Sequence, residues 1–277
     1  MMSIIYPYIC YRGFTLIEMV ISITVLAILA GATAIFLQGP ITSYFDTEHR
    51  ASLADAGELA MAKLSEDISN AVPGSVRVAN VGGAVYIEFL PVVSQGIYCN
   101  AAPCTALNFG LPSTQFDVMG APPNSVAAQA GDWVVVNNYL ATPGVNDVWA
   151  GNARAAYAGP SGNVDTIIYT SHTFTLSSTD HRFQLTSGPV TYACAPTAVG
   201  GTITRYTGYP INPVQPASPA ALAGSQANLL ATGLTSCSAS FSRGTRVQAG
   251  WLAIAMGFSS SGDVLNVYDT FRVDPLP

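Results

Sequence analysis

From Phe14 to Leu37 the chain runs for 24 residues with a single formal charge, Glu18. A helix rises about 1.5 Å per residue, so this run covers roughly 36 Å against a bilayer hydrocarbon core of about 30 Å. The stretch is therefore a candidate transmembrane helix with one carboxylate near its start. An ionisable group inside a bilayer costs about 2.5–3.5 kcal/mol on insertion scales, so Glu18 requires a compensating partner. Cleavage after Gly13 would give Phe14 a free ammonium one helical turn from Glu18. That ammonium, on the same chain or a neighbouring one, is the partner the carboxylate needs. A cleaved secretory signal has an apolar region of only about 7–15 residues. Small residues stand at Ala30-Gly31-Ala32 and Ala32-Thr33-Ala34, but the apolar run is too long for that class. A plain membrane anchor leaves Glu18 unexplained.

Arg12-Gly13-Phe14-Thr15-Leu16-Ile17-Glu18 followed by an apolar helix resembles the prepilin signature of type IV pilins and type II secretion pseudopilins. The resemblance implies cleavage after Gly13 by a prepilin peptidase, N-methylation of Phe14, and docking of subunits through Glu18. It also implies assembly with other minor and major pilins on an inner-membrane platform. Arg12 beside the apolar run fits the positive-inside rule, which puts the leader in the cytoplasm and the rest outside. The leader, residues 1–13, is longer and less basic than is usual in that family. A second stretch, Asp67 to Val78, is similar to the helix-to-strand junction of large minor pseudopilins. The nearest likeness is to the MshO-type biogenesis proteins of mannose-sensitive haemagglutinin (MSHA) pili. The J-type secretion pseudopilins and PilW-type minor pilins are more distant.

Charge narrows the partners. The 277 residues carry 10 basic and 16 acidic side chains, a net charge of −6. Losing residues 1–13 removes Arg12 and no acid, leaving nine basic against sixteen acidic, or −7. Lys63 is the only lysine. Phosphate binding calls for a basic stripe, which this sequence lacks, so no nucleic-acid partner is expected. Of five cysteines, Cys10 falls in the leader. Cys99, Cys104, Cys194 and Cys237 lie on the exported side, where disulfides form. Four cysteines allow three connectivities, and proximity favours Cys99–Cys104 and Cys194–Cys237. The second bridge would close 44 residues, worth about 4 kcal/mol in the chain-entropy model. With no CxxC pair and no histidine beside the cysteines, no metal or other cofactor is expected.

Beyond Leu37, Ile41, Tyr44, Phe45, Leu53, Ala56, Ala60, Leu64 and Ile68 recur at helical spacing and form one stripe. Asp46, Glu48, Arg50, Asp55, Glu58, Lys63, Glu66 and Asp67 fill much of the other side. One helix is expected from Phe14 to about Ala71, roughly 85 Å long. A kink is expected at Gly39-Pro40 and a stop at Pro73-Gly74. From Ser75 the pattern changes to period two. Candidate strands are 76–79, 84–90, 133–137, 166–170, 182–186, 190–193, 251–258 and 264–273, the last two joined as a hairpin. Long connections are expected at 91–131, 141–163 and 196–240. The class is α+β and pilin-like, a long N-terminal helix on a mainly antiparallel sheet. Four segments follow: a cleaved leader at 1–13, a transmembrane and assembly helix at 14–37, its amphipathic continuation at 38–72, and a β-rich periplasmic or extracellular domain at 73–277.

Pro210, Pro213, Pro216 and Pro219 recur every three residues, the period of a polyproline II helix. They would line one edge of a stiff connection or of a contact arm for another subunit. Catalytic signals are weak. His49 falls on the charged side of the helix, and His172 and His181 have no nucleophile or metal cluster near them in sequence. Gly257 to Gly262 is one residue too long for a nucleophile elbow and lies at a hairpin. No enzymatic activity is expected. The expected function is a minor pseudopilin that helps initiate a type IV pilus, at the filament tip. The alternatives are the same scaffold in a type II secretion system, or a tip adhesin. The precursor is expected in the bacterial inner membrane.

Overall fold

The computed structural model describes residue 13 and residues 15–120, 126–138, 146–244, 248–260 and 263–273. The chain divides into two compact units, one up to Ala51 and one from Ser52 onward. Helix α1, Leu16–Ser69, belongs to both. It is uninterrupted through Gly39 and Pro40, so the hydrogen bond that proline removes does not end it.

In the first unit, every side chain from Leu16 to Leu37 is exposed. The segment is a helix long and apolar enough to cross a membrane. A helix apolar on all faces is stable only when hydrocarbon or other protein surrounds it. Tyr44 and Phe45, part of the expected stripe, are also exposed.

In the second unit, the helix becomes one-sided. Leu53, Ala60, Leu64 and Ile68 are buried and Ala56 half-buried, as their spacing predicts, and Met61 joins them. Ser69 Oγ and Asn70 Nδ2 donate to the Glu66 carbonyl at 2.8 and 3.2 Å, satisfying a carbonyl the last turn leaves free. Gly74, at a φ of +74°, then turns the chain into the sheet, a conformation that favours glycine.

The strands are β1 (Arg77–Val81), β2 (Ala84–Phe89), β3 (Ser94–Tyr98), β4 (Ser113–Met119), β5 (Val126–Ala128), β6 (Trp133–Val136), β7 (Arg154–Ala156) and β8 (Gly162–Val164). They continue with β9 (Thr166–His172), β10 (Arg182–Thr186), β11 (Val190–Ala195), β12 (Gly201–Thr207), β13 (Gln226–Ser242), β14 (Gly250–Ser260) and β15 (Asp263–Val273). A seven-stranded sheet has the order β1-β2-β11-β12-β13-β14-β15, and a six-stranded sheet has the order β7-β6-β10-β3-β4-β9. β5 and β8 form a separate pair. The named strand pairs are antiparallel. The arrangement is α+β, consistent with a pilin-like fold.

The helical stripe packs on the seven-stranded sheet through Ile87, Phe89, Tyr192, Ile254 and Phe258. The six-stranded sheet has its own core, in which Phe116 meets Phe183 edge-on at 5.0 Å and Tyr169 at 5.8 Å. A third cluster, including Val72, Leu90, Val135 and Trp149, lies where the chain leaves the helix. There Val72 N–H donates to the Leu90 carbonyl at 2.7 Å and Trp149 Nε1–H to the Ser75 carbonyl at 3.0 Å.

The expected connections at 91–131, 141–163 and 196–240 require correction. They contain β3, β4, β5, β7, β8, β12 and most of β13. Most of these strands are short or poor in β-branched residues, so propensity gives little sign of them. Cross-strand ladders and burial in the separate cores of the two large sheets hold most of them in place instead.

Leu64→Ala should destabilise the second unit by about 2–5 kcal/mol, because it empties a buried site between helix and sheet. Leu59→Ala, at a position 62% exposed, should stay within about 0.5 kcal/mol. Urea unfolding of the two variants in parallel checks this; equal losses would contradict the assigned helix face.

Candidate functional site

The first turn of α1 carries the functional signature. Thr15 Oγ1 accepts the Glu18 backbone N–H at 3.3 Å, and the Thr15 carbonyl accepts Met19 N–H at 3.2 Å. Thr15 is thus the N-cap, with Glu18 three residues on at the glutamate position of a capping box. Sequence reasoning assigned Glu18 to docking and overlooked Thr15. The T-x-x-E spacing was the signal. Glu18 also places negative charge at the positive end of the helix dipole. Its carbonyl accepts the Ser22 hydroxyl at 2.7 Å, and its side chain is exposed among Leu16, Ile17, Met19 and Val20. Gly13, the expected cut site, is exposed. Phe14, the expected methylated residue, lies outside the described residues, as does Cys10.

The cysteines separate into two kinds. Cys99 and Cys104 form a disulfide with Cα atoms 6.2 Å apart. It closes a loop that Asp117 also ties down, accepting Thr105 N–H at 2.8 Å and the Thr166 hydroxyl at 2.8 Å. The expected Cys194–Cys237 bridge is not formed, and both residues are free thiols. β12 lies between their strands, and each is set by its own ladder, opposite Ile203 and Met256 respectively. Their side chains still touch across that strand, so the pair favoured by proximity is brought together without being bridged. Both cysteines nevertheless contribute to one core. Contact with Cys237, and then burial, push the Cys194 thiol well above its ordinary value.

The proline-rich segment is tied down too. Arg77 Nη1 and Nη2 donate to the carbonyls of Pro213 and Asn212 at 2.7 and 2.9 Å, and Gln215 Nε2 donates to the Tyr86 carbonyl at 3.0 Å. Pro216 is buried, whereas Pro210, Pro213 and Pro219 are exposed, so the four do not line one edge.

The histidines stand apart. His172 Nε2 lies 3.1 Å from the Asn152 carbonyl, and His181 Nε2 lies 3.0 Å from Asn100 Nδ2. The side chain of His49 is outside the description. Among the described residues no group of three or more His, Cys, Asp or Glu side chains is placed to hold a metal ion.

Residues 10–34 match the family signature described as the prokaryotic N-terminal methylation motif. The chain has a prepilin-type N-terminus. That match covers less than a tenth of the 277 residues and supports a type IV pilin- or pseudopilin-like protein. No curated protein and no solved structure matches the chain. The prepilin-type motif implies processing by a prepilin peptidase and assembly with pilins. With the apolar helix, it fits an inner-membrane precursor.

One polar cluster anchors the second half of α1 to its sheet. Asp67 Oδ2 accepts from Arg205 Nε at 2.6 Å and from the Tyr192 hydroxyl at 2.7 Å, while Lys63 Nζ lies 3.3 Å from Oδ1. Burial raises the Asp67 carboxyl. The Tyr192 and Arg205 hydrogen bonds, with the charges of Arg205 and Lys63, outweigh burial and hold it below the ordinary carboxylate value. A depressed folded pKa contributes stability above the unfolded value of 3.8, and this is lost as pH falls through the folded value. Asp67→Asn should therefore cost about 2–3 kcal/mol at pH 7, the scale of hydrogen bonds to a charged group. The gap from the unsubstituted chain should narrow below about pH 3.8. Denaturant midpoints for both chains across pH 2.5–7 measure it; a gap independent of pH would show that the charge of Asp67 is not what matters.

Proposed function

We propose that this chain is a minor pseudopilin of a type IV pilus, of the MSHA kind, which helps start assembly and sits at the filament tip. The observation that carries the proposal is Glu18. It is a lone carboxylate on an apolar helix that follows Gly13-Phe14 directly and is exposed toward whatever surrounds that helix. Pairing with the N-terminal ammonium of a neighbouring subunit replaces a costly lone charge in hydrocarbon with an ion pair. The second unit supports the tip position. From Ser52 onward it carries two large sheets, a head that crowds a helical shaft in which every subunit is surrounded. The similarity of Asp67–Val78 to the junction of MshO-type proteins favours the pilus over a secretion system, which shares the N-terminal motif. The role is one of assembly, without catalysis.

Glu18→Val should leave cleavage intact while lowering incorporation into filaments at least tenfold, read by immunoblot of sheared filaments against membranes. Undiminished incorporation would refute docking through Glu18. Gly13→Asp should accumulate a precursor heavier by the leader. Deleting the gene in a strain unable to retract pili should leave few or no surface filaments by electron microscopy. Normal filament numbers would overturn the initiating role.

A further inference from the structure

A strand that ends a sheet presents a row of unpaired backbone groups, and folded proteins cover or blunt such rows. In the six-stranded sheet the two ends meet. Just beyond β7, Tyr157 bridges Tyr169 of β9, and Ala158 N–H donates to the Ile168 carbonyl at 2.8 Å. β5 and β8 have three residues each. β1 has five, and contacts from Arg77 and Gln215 hold the 212–215 segment against it. β15 is different. It runs for eleven residues, Asp263–Val273, paired with β14 throughout and without a bulge. It ends the seven-stranded sheet, and among the described residues no strand lies on its other side. The strand contains no proline and no lysine, two residues that commonly blunt an edge.

An open edge offers alternating N–H and C=O groups, a row that only another extended backbone matches. The side chains narrow the choice. Val264, Asn266, Tyr268, Thr270 and Arg272 share the outer face of β15 and are exposed. Asp269 is on the other face, opposite the core residue Ile254, yet is itself exposed. Its Oδ1 accepts the neighbouring Thr270 N–H at 2.7 Å, and among the described residues no cation pairs with it. A carboxylate there penalises any added strand that sets an apolar or acidic residue opposite it. We infer that β15 accepts an extended segment of another polypeptide, added antiparallel, with a lysine or arginine opposite Asp269. A second copy of this chain does not meet that demand. In a two-fold pair of β15 strands the core faces align, and Arg272, the only cation of the strand, lies on the outer face. The inference does not depend on the chain's position in a filament.

The test is fluorescence anisotropy of the labelled peptide TEVTKTVTVT, titrated with the full chain in detergent micelles. Aligned antiparallel to Val264–Val273, the peptide sets its lysine opposite Asp269. Binding should saturate at one peptide per chain. N-methylation of alternate peptide amides should abolish binding for one alternate set and spare it for the other, as a one-sided ladder requires. Asp269→Lys should weaken binding at least threefold, and exchanging the peptide's lysine for glutamate should restore it. Asp269 is exposed, and an unchanged circular dichroism spectrum and melting temperature verify folding of the variant. The proposal is overturned if no saturable binding occurs up to millimolar concentration, or if both methylated peptides or neither lose binding. It is overturned equally if Asp269→Lys binds the original peptide like the unsubstituted chain. Self-association of the chain that the peptide competes away would assign the edge to a second copy and overturn it too.

Discussion

Within α1 the apolar side chains surround the helix from Leu16 to Leu37, and from Leu53 to Ile68 they narrow to one buried stripe. A helix cannot hide its faces by itself, so each pattern fixes the medium around it. The first half is stable only where hydrocarbon or other apolar helices meet every face. The second half needs a partner on one face, and the seven-stranded sheet supplies it. Hydrophobic contact fixes how closely helix and sheet approach. The Asp67–Arg205–Tyr192 cluster adds direction, because its hydrogen bonds are short and tolerate little sliding. Lys63 shares its ammonium between Glu66 and Asp67, so one turn of helix holds both the intrahelical pair and the link to the sheet.

The second buried acid behaves differently, and geometry explains why. Glu88 is fully buried, whereas its partner Arg77 retains some exposure. Burial raises the Glu88 carboxyl above its ordinary value, and the hydrogen bonds from Arg77 and Tyr209 recover only part of that loss. For a carboxylate whose folded pKa is raised, ionisation costs stability once pH exceeds the unfolded value. Ionisation of Glu88 thus lowers stability at neutral pH, whereas ionisation of Asp67 raises it. What Glu88 provides is position. It holds Arg77 at 2.6 Å, and that guanidinium then covers Trp149 and caps two carbonyls of the 212–213 segment. The proline-rich connection is in this way bound to β1 and β2.

Legibility in the sequence followed the range of the interactions. The buried stripe, the strand 182–186 and the hairpin of β14 and β15 depend on local periodicity and could be read directly. The second sheet could not. Gln95, Gly96 and Ser113 carry little strand preference, and β3 and β4 exist because ladders to β10 and β9 satisfy their backbone groups. β13 is a partial exception. From Ser236 to Ser242, serines alternate with Cys237, Ala239 and Phe241, a period of two that small residues obscured. The cysteines mark the same boundary. Cys99 and Cys104 are joined through a local loop, whereas Cys194 and Cys237, on strands either side of β12, are in contact and both free.

At the N-terminus the local and functional constraints coincide on the same four residues. The cap on α1 is made by Thr15 and received by Glu18, both downstream of the expected cut after Gly13. Cleavage there would therefore leave the Thr15–Glu18 cap intact. Without Thr15 Oγ1, the Glu18 N–H would be one of the four unsatisfied donors at a helix start, a heavier burden in hydrocarbon than in water. With the cap in place, the backbone donor is satisfied within the chain and the Glu18 carboxylate is left to find a partner outside it. The dipole of its own helix favours a glutamate at this position, and the docking proposed above would favour it a second time. The helix dipole alone favours the first turn for the single formal charge between Phe14 and Leu37.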